Sequence, residues 1–307
     1  MKFTNTIVVC AALLGATGCM HTKQSDQQGG SASTEQGIGS ARATQPPEAE
    51  QPLNHMDRSN QLIGEAVLTS DHLRTGKIDN FVIDQESGRI LYAVIGIGGV
   101  LGVGETRVAV PPEIFTEAKK GTVELKVDKT KLTGAPQVPT NDNDARKADF
   151  VSKVYSYFEQ KGWWQGGQST AMASFNAARK ATELVGMKVL NNAHQDIGKV
   201  EEVALDVPAG REVYVILSPS SDMNLSKNYY ALPPGAVRFS PDRKSLVADI
   251  TREKLSNGPH FAKDDWSELS NAAWAQKVYT YYGQRSVFST PAVRPTGTTN
   301  QTVYPKP

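Results

Sequence analysis

The sequence has almost no cysteine and no excess of charge of either sign. Cys10 and Cys19 are the two cysteines among 307 residues, which excludes a framework of several disulfides and a metal site built from thiolates. Lysine and arginine number 33 against 32 aspartate and glutamate, so no basic surplus directs the chain to nucleic acid. No apolar run reaches the roughly 18 residues that a membrane-spanning helix needs.

The first 18 residues have the order of an export signal. Lys2 gives a positive start, residues 7–15 form a short apolar core, and three small residues then precede Cys19. Small residues directly before a cysteine resemble the lipobox of bacterial lipoproteins, although Ala16 stands where that motif usually has leucine. The alternative is an ordinary signal peptide followed by a chance cysteine.

The lipobox resemblance implies a lipid-anchored protein of the cell envelope. In lipoproteins the signal is removed and the cysteine, here Cys19, receives a diacylglycerol and usually a further acyl chain, which together hold the chain stably on a membrane. Met20 stands where aspartate would resemble an inner-membrane retention signal. We therefore expect an outer-membrane location facing the periplasm. Removal of Lys2 with the signal would leave 32 basic and 32 acidic residues.

Composition divides the rest of the chain. Residues 19–60 and 285–307 are rich in polar residues, glycine and proline and poor in apolar ones, so both are predicted to be disordered. The predicted organisation is a signal peptide over 1–18, a tether over 19–60, a first domain over 61–160, a linker over 161–182, a second domain over 183–284 and a tail over 285–307.

An internal repeat is the reason for predicting two domains. A shift of 122 positions places residues 62–94 on residues 184–216 with 11 identities in 33 positions and no gap. The identical pairs include Gly76 with Gly198, Asp84 with Asp206, Gly88 with Gly210, Arg89 with Arg211 and Tyr92 with Tyr214.

Each copy is predicted to be a set of short strands. Apolar runs and alternating patterns, separated by glycine and proline, mark the strands. Their spacing favours a small closed or sandwiched sheet over βαβ units. In the first copy the strands are predicted over residues 62–68, 77–84, 91–95, 107–110 and 123–127.

A helix is predicted to close each copy, because apolar residues recur there at helical spacing. We expect each apolar stripe to pack against its own barrel. The first stripe is Phe150, Val154, Tyr157 and Phe158 after the cap candidates Asp142 and Asp144, and the second is Trp274, Val278, Tyr281 and Tyr282 after the cap candidate Ser270.

The ordered set of strands and turns resembles the PRC-barrel domain over residues 62–132 and 184–255. The segments that carry the resemblance in the first copy are Leu62-Ile63-Gly64, Gly76-Lys77-Ile78, Val82-Ile83-Asp84, residues 88–94, residues 98–105 and Val108-Ala109-Val110-Pro111. The second copy lacks the glycine-rich loop. The resemblance implies a mainly β fold of two tandem small barrels, each followed by a short helix. It also implies docking or assembly modules, and no shared catalytic residues.

Motifs that suggest catalysis or ligand binding have simpler structural explanations. The loop over 96–104 has spacings close to G-x-G-x-x-G, but it leads into a strand rather than a helix, so no dinucleotide site is expected. His72 and His194 occupy equivalent turns without a second ligand at metal spacing, and are predicted to be solvated. Asp84 and Asp206 precede Gly-Arg turns, where hydrogen bonds to turn amides account for them. We therefore predict no catalytic residue, metal or cofactor.

Trp163 and Trp164, in the predicted linker, are candidate contact residues. Two adjacent tryptophans flanked by glycines carry a large apolar surface that water disfavours. The rings either pack between the barrels or remain exposed as an anchor for a partner. We expect one of them to contact the second barrel or its helix, with at most one ring partly exposed.

Two classes of function remain open. The first is a membrane-anchored, non-catalytic binding or assembly module with a protein or envelope partner. The second is a small-ligand or metal-binding periplasmic protein, or an enzyme without a recognised motif, whose site would lie in a cleft between the barrels. Polar side chains of both copies lining such a cleft would favour the second.

Overall fold

Apolar runs separated by glycine turns form short, mostly antiparallel strands. The computed structural model describes residues 53, 56–98, 104–116, 121–166, 175–225 and 227–286. The predicted signal peptide and almost all of the predicted tether and tail lie outside these residues. Within them, no helix has both the length and the apolar character needed to cross a membrane.

The first repeat is built around a long hairpin, β3 and β4, whose turn contains Gly88 with a φ of +67°. Its strands are β1 (Asp57–Arg58), β2 (Ala66–Leu68), β3 (Arg74–Asp84), β4 (Arg89–Ile97), β5 (Thr106–Val110) and β6 (Thr122–Glu124). Its α-helices are α1 (Ser59–Leu62), α2 (Lys129–Thr133), α3 (Asp142–Ala145) and α4 (Ala148–Tyr157).

The second repeat has the corresponding hairpin, β9 and β10, with Gly210 in its turn at a φ of +64°. Its strands are β7 (Ala178–Lys180), β8 (Lys188–Asn191), β9 (Asp196–Asp206), β10 (Arg211–Pro219), β11 (Asn228–Leu232), β12 (Val237–Phe239), β13 (Ser245–Ala248) and β14 (His260–Ala262). Its α-helices are α5 (Ala181–Leu184), α6 (Arg252–Ser256) and α7 (Ala272–Tyr281).

Both repeats have the same strand order. The order is β6-β2-β3-β4-β5 in the first and β13-β8-β9-β10-β11 in the second, and in each the first neighbouring pair is parallel while the others are antiparallel. In the second repeat β12 adds to β13 and β14 adds to β11. The described strands are connected into one 14-stranded sheet. The predicted mainly β fold is confirmed.

Buried tyrosines fasten the helical segment of each repeat to its sheet. Tyr92 on β4 donates a hydrogen bond to the Ala145 carbonyl at 2.9 Å, and Tyr214 on β10 donates to the Leu269 carbonyl at 3.4 Å. Both tyrosines are fully buried. Since a buried hydroxyl needs a partner, these bonds fix where the chain before each closing helix lies.

The first predicted strand is wrong at its start. Residues Ser59–Leu62 are helical, and the strand comprises Ala66–Leu68 alone. Gly64 turns the chain with a φ of +96°, and its N–H donates to the Ile78 carbonyl at 2.8 Å. The glycine therefore ends the helix and separates it from the strand.

The predicted helix stripes are correct for half of their residues, whereas the predicted cap residues are wrong. Val154 and Phe158 of the first stripe and Val278 and Tyr282 of the second are buried as predicted. The other predicted residues are partly buried, and the buried faces are completed by Val151, Tyr155, Ala275 and Tyr279. The half-buried Tyr157 and Tyr281 lie at the edge of each face, where their hydroxyls donate to the Lys131 and Lys254 carbonyls. Asp142 and Asp144 belong to the separate helix α3, and Asn271 rather than Ser270 caps α7.

Candidate functional site

The two Gly-Arg turns meet where the repeats join. Arg89, at the start of β4, pairs antiparallel with Arg211, at the start of β10. The Ile90 N–H donates to the Gly210 carbonyl at 3.0 Å, and the Glu212 N–H donates to the Gly88 carbonyl at 2.9 Å. Ile90 is equivalent to Glu212 and Gly88 to Gly210 under the 122-residue offset, so the two hydrogen bonds are equivalent and run in opposite directions between the repeats. The repeats are therefore related by a local twofold axis at this contact. We call this contact, formed by residues 88–90 and 210–212, together with the side chains packed around it, the seam.

The turn glycines are required at the seam for two reasons. Each has a positive φ, which side chains disfavour. In addition, a Cβ at Gly88 would lie 3.1 Å from the Pro234 side chain, and one at Gly210 would lie 3.1 Å from Pro112. The two prolines occupy equivalent positions, so the close approach is reciprocal.

The repeats exchange their first strands across the seam. Strand β1 of the first repeat pairs with β9 of the second, with Asp57 opposite Leu205. Strand β7 of the second repeat pairs with β3 of the first, with Arg179 opposite Ile83. Each central hairpin therefore contains hydrogen bonds to the other half of the chain, and neither repeat completes its sheet alone.

A side-chain hydrogen bond fastens each exchanged segment to the other repeat. On α1, the Ser59 hydroxyl donates to the buried Glu202 carboxylate of β9. Near α5, the Asn80 amide of β3 donates to the Thr182 hydroxyl at 2.8 Å. Glu202 and Asn80 are equivalent positions, but Ser59 is equivalent to Ala181 rather than to Thr182, so the two hydrogen bonds are not copies of each other.

A cation is the last residue of each exchanged strand and contacts the segment before the closing helix of the other repeat. Lys180 lies 3.0 Å from the Asp142 carboxylate. At the equivalent position, the Arg58 guanidinium lies 4.7 Å from the centroid of the Trp266 ring. An ion pair on one side is thus matched by a cation–π contact on the other.

A buried ion pair lies on the second-repeat side of the seam. Arg211 Nη2 donates to Asp206 Oδ2 at 2.9 Å, and the two side chains are 7% and 6% exposed. In the first repeat the same two residue types do not pair in this way. Asp84 accepts hydrogen bonds from the Ser87 N–H and hydroxyl, and burial raises the pKa of Asp84 despite them. The Arg89 guanidinium lies 5.8 Å from the Trp163 ring centroid.

Gln85 and Glu212 form a second buried polar pair across the seam. The Gln85 Nε2 donates to Glu212 Oε2 at 3.1 Å. Burial raises the pKa of Glu212 to about 8, with a further contribution from the Asp84 charge, against the lowering effect of Gln85. The remaining oxygen of each side chain is buried without a partner in the described residues, and both are acceptors. The protonated form of the Glu212 carboxyl carries a donor, which the charged form lacks.

The predicted contact residues Trp163 and Trp164 lie beside the seam. Trp164 packs on Tyr155 of α4 at 4.8 Å between ring centroids, and both tryptophans contact Phe175. Both side chains are half-buried, so the expectation that at most one ring is partly exposed is wrong. The ring contacts of these two side chains with described residues are with each other and with Tyr155, Phe175 and Arg89.

The other residues singled out from sequence lie apart from one another or outside the described residues. Cys19 lies outside them, as do residues 99–103 of the glycine loop, which leads into strand β5 as predicted. His72 and His194 are exposed and occupy equivalent turns with φ values of 58° and 59°. The described residues contain no group of three or more His, Cys, Asp or Glu that could hold a metal ion.

The comparison with protein families agrees with this duplicated architecture. The PRC-barrel domain matches residues 54–133 and residues 178–255. The chain belongs to the PRC-barrel family. None of the curated proteins matches it. Both PRC-barrel matches include the exchanged strand at their start, so the strand exchange takes place between the two PRC-barrel domains themselves.

Among the polar residues of the seam, the sequence singles out Asp84 and Asp206 as turn residues, but not Gln85 or Glu212. The repeat shows that Arg89 and Arg211 are equivalent, but it does not predict that they pair with each other. Glu212 was recognisable in principle, because it is a carboxylate inside a strand whose other residues are almost all apolar. Its partner Gln85 carries no such signal, since a polar residue after a strand is ordinary.

Proposed function

We propose that this chain is an envelope lipoprotein, anchored through Cys19, that serves as a non-catalytic binding or assembly module through its two PRC-barrel domains. The main support is the reciprocal exchange of β1 and β7, which joins the domains into one sheet. A pair of domains linked in this way presents its surfaces in a fixed relative orientation. Fixed orientation is what a scaffold needs in order to hold partners at defined positions.

The packing of the seam gives further support. Turn hydrogen bonds, prolines and buried polar pairs fill the contact between the domains, in place of a polar cleft. A small cavity lined mostly by apolar residues of both repeats, among them Phe81, Phe115 and Val207, has room for about one water molecule. These features favour a binding surface over a site enclosed between the domains.

The lipid anchor is tested by Cys19→Ala. We expect this variant to lose incorporation of labelled fatty acid and to leave the detergent-soluble membrane fraction. The lipid on Cys19 is the proposed anchor, and no described helix and no predicted segment is able to span a membrane in its place. Cys10→Ala is the matched control and should keep both properties. Labelling that persists in Cys19→Ala would contradict the anchor.

The binding role is tested at the two large hydrophobic side chains that the described surface exposes. Leu73 is 47% exposed and Val185 is 38% exposed. A photo-crosslinking amino acid placed at either position in intact cells should give a discrete adduct, because exposed apolar side chains are favoured at protein contacts. Lys153, exposed on α4, is the control position. Adducts no stronger at Leu73 and Val185 than at Lys153 would count against a partner at these surfaces.

A further inference from the structure

Glu212 is a buried carboxyl that joins the two repeats without a cation beside it. It accepts a hydrogen bond from Gln85 of the other repeat at 3.1 Å, and the residue is 1% exposed. No lysine, arginine or histidine nitrogen of the described residues lies within 4.0 Å of its carboxyl oxygens. Gln85 is neutral, so the pair contains no charge that would compensate an ionised Glu212. A buried carboxylate without a compensating charge is costly until it is hydrated or protonated.

The ionisable groups packed around Glu212 do not supply the missing positive charge. Arg211, the preceding residue of β10, donates to Asp206 at 2.9 Å and is held by it. Burial and the charge of Asp84, at the end of β3, both raise the pKa of Glu212. Tyr279 of α7 donates its hydroxyl to a backbone carbonyl of β10 at 2.9 Å, and burial raises its pKa above the usual range. None of these groups compensates the charge of an ionised Glu212.

The strand pairing at the seam is much shorter than the pairing inside each repeat. Strands β4 and β10 share one residue pair, Arg89 with Arg211, whereas β3 and β4 share eight pairs, as do β9 and β10. The exchanged strands add two pairs on one side and three on the other. Because the backbone hydrogen bonds lie mainly within the hairpins, the two turns can separate while both hairpins stay intact. Their separation would bring Glu212 into contact with water.

We propose that Glu212 is a proton-dependent lock between the two PRC-barrel domains, in which the protonated side chain keeps the seam closed and loss of the proton favours an opened seam without unfolding either domain. The opened seam separates the Gly88 and Gly210 turns and hydrates the carboxylate. The relative orientation of the domains then depends on pH. This inference goes beyond the proposed scaffold role, and it depends neither on the lipid anchor nor on a partner.

The direction and steepness of the response follow from the two states of Glu212. Burial raises its pKa to about 8 in the closed seam, whereas a hydrated glutamate titrates near 4.5. Between these values opening releases one proton, so the equilibrium constant for opening rises by about tenfold per pH unit. Below this window both states hold the proton, and above it both have lost the proton, so the response is flat on either side.

Amide hydrogen exchange followed by NMR between pH 5.5 and pH 7.5 tests the lock, on the full chain with Cys19→Ala. The reporters are the N–H groups of Ile90 and Glu212, which donate across the seam. The references are the N–H groups of Val94 and Val215, in the middle of β4 and β10 with a paired strand on either side. Protection is measured relative to an unstructured peptide at the same pH, so that only the opening equilibrium remains.

We expect the two seam amides to be less protected than the references and to lose protection by about tenfold per pH unit. Glu212→Gln keeps a side chain of the same shape that does not ionise, so most of this pH dependence should disappear. Glu268→Gln, the matched control, changes an exposed carboxyl and should leave the response intact.

Two results would overturn the proposal. Equal protection of the seam and reference amides would mean that the seam opens only when the whole protein unfolds, even if Glu212 controls global stability. Seam protection that is constant with pH, or that changes equally with and without Glu212→Gln, would mean that Glu212 is not the lock. The first comparison keeps the native Glu212, so it decides the proposal even if Glu212→Gln fails to fold.

Discussion

The free energy of unfolding is expected to fall as the pH rises from about 4.5 to about 8, and Glu212→Gln should remove most of this fall. Burial raises the pKa of Glu212 to about 8 in the folded chain, whereas an unfolded glutamate titrates near 4.5. Between these values the folded state holds a proton that the unfolded state has lost. Stability therefore decreases with pH, with a slope that approaches ~1.4 kcal/mol per pH unit for one such group.

Glu212→Gln is informative because the substituted amide keeps the shape of a protonated carboxyl. Its oxygen can accept from Gln85 Nε2 as Glu212 Oε2 does, and its NH₂ group replaces the unpartnered Glu212 Oε1 by a donor that does not titrate. Unfolding in urea at several pH values measures the slope. Asp84 and Glu113 also have pKa values raised by burial, so a smaller residual slope of the same sign is expected.

The exposed Glu268 provides the control for this experiment. Glu268→Gln should leave the pH dependence of the wild-type chain intact, because its carboxyl is in water in both states. If Glu212→Gln and the wild type show equal slopes between pH 5 and pH 8, the Glu212 proton does not contribute to stability. A carboxyl carbon signal of Glu212 that titrates near pH 4.5 would lead to the same conclusion.

The sequence predicts the features of this protein that depend on short stretches of chain. Gly88 and Gly210 mark the turns of the two central hairpins, and the apolar runs around Tyr92 and Tyr214 mark the strands that follow. Both signals arise within a few residues, since a turn needs a positive φ and a buried strand needs continuous apolar side chains. The repeat and the PRC-barrel resemblance follow from their order along the chain.

The exchange of strands could not be predicted in the same way. Strand β1 has two residues and β7 has three, which is too short for any periodicity to identify. Both pair with the end of an eleven-residue strand from the other repeat. The partner is therefore set by the symmetry of the whole molecule. The 122-residue offset indicates a duplication, and two copies of one unit that contact each other through equivalent surfaces form a twofold contact. The offset does not indicate which strands the copies exchange.

The polar side chains of the seam illustrate the same limit at the level of single residues. Asp84 and Asp206 are identical residues before identical Gly-Arg turns, and the sequence assigns them one role. Hydrogen bonds to the turn amides of Ser87 and Ala209 confirm that role for both. Only Asp206 adds the hydrogen-bonded ion pair with Arg211 to it. The difference arises from neighbours across the seam, which a local pattern does not contain.

Asp206→Ala is expected to destabilise the protein by about 3–5 kcal/mol, because it leaves the Arg211 guanidinium buried without its carboxylate. Asp84→Ala is the matched control in the other repeat. It removes hydrogen bonds to Ser87 but leaves no arginine without its hydrogen-bonded carboxylate, so a loss of about 1–2 kcal/mol is expected.

Urea unfolding of the full chain at pH 7 compares the two variants with the double variant Asp206→Leu, Arg211→Met. Replacing both charges by apolar side chains of similar size removes the desolvation penalty together with the attraction, so the double variant should recover much of the stability lost in Asp206→Ala. Recovery would show that the loss comes from an uncompensated charge at the seam. Equal losses in Asp206→Ala and Asp84→Ala would mean that the two repeats use this aspartate identically, and that the buried ion pair adds nothing to the turn hydrogen bonds.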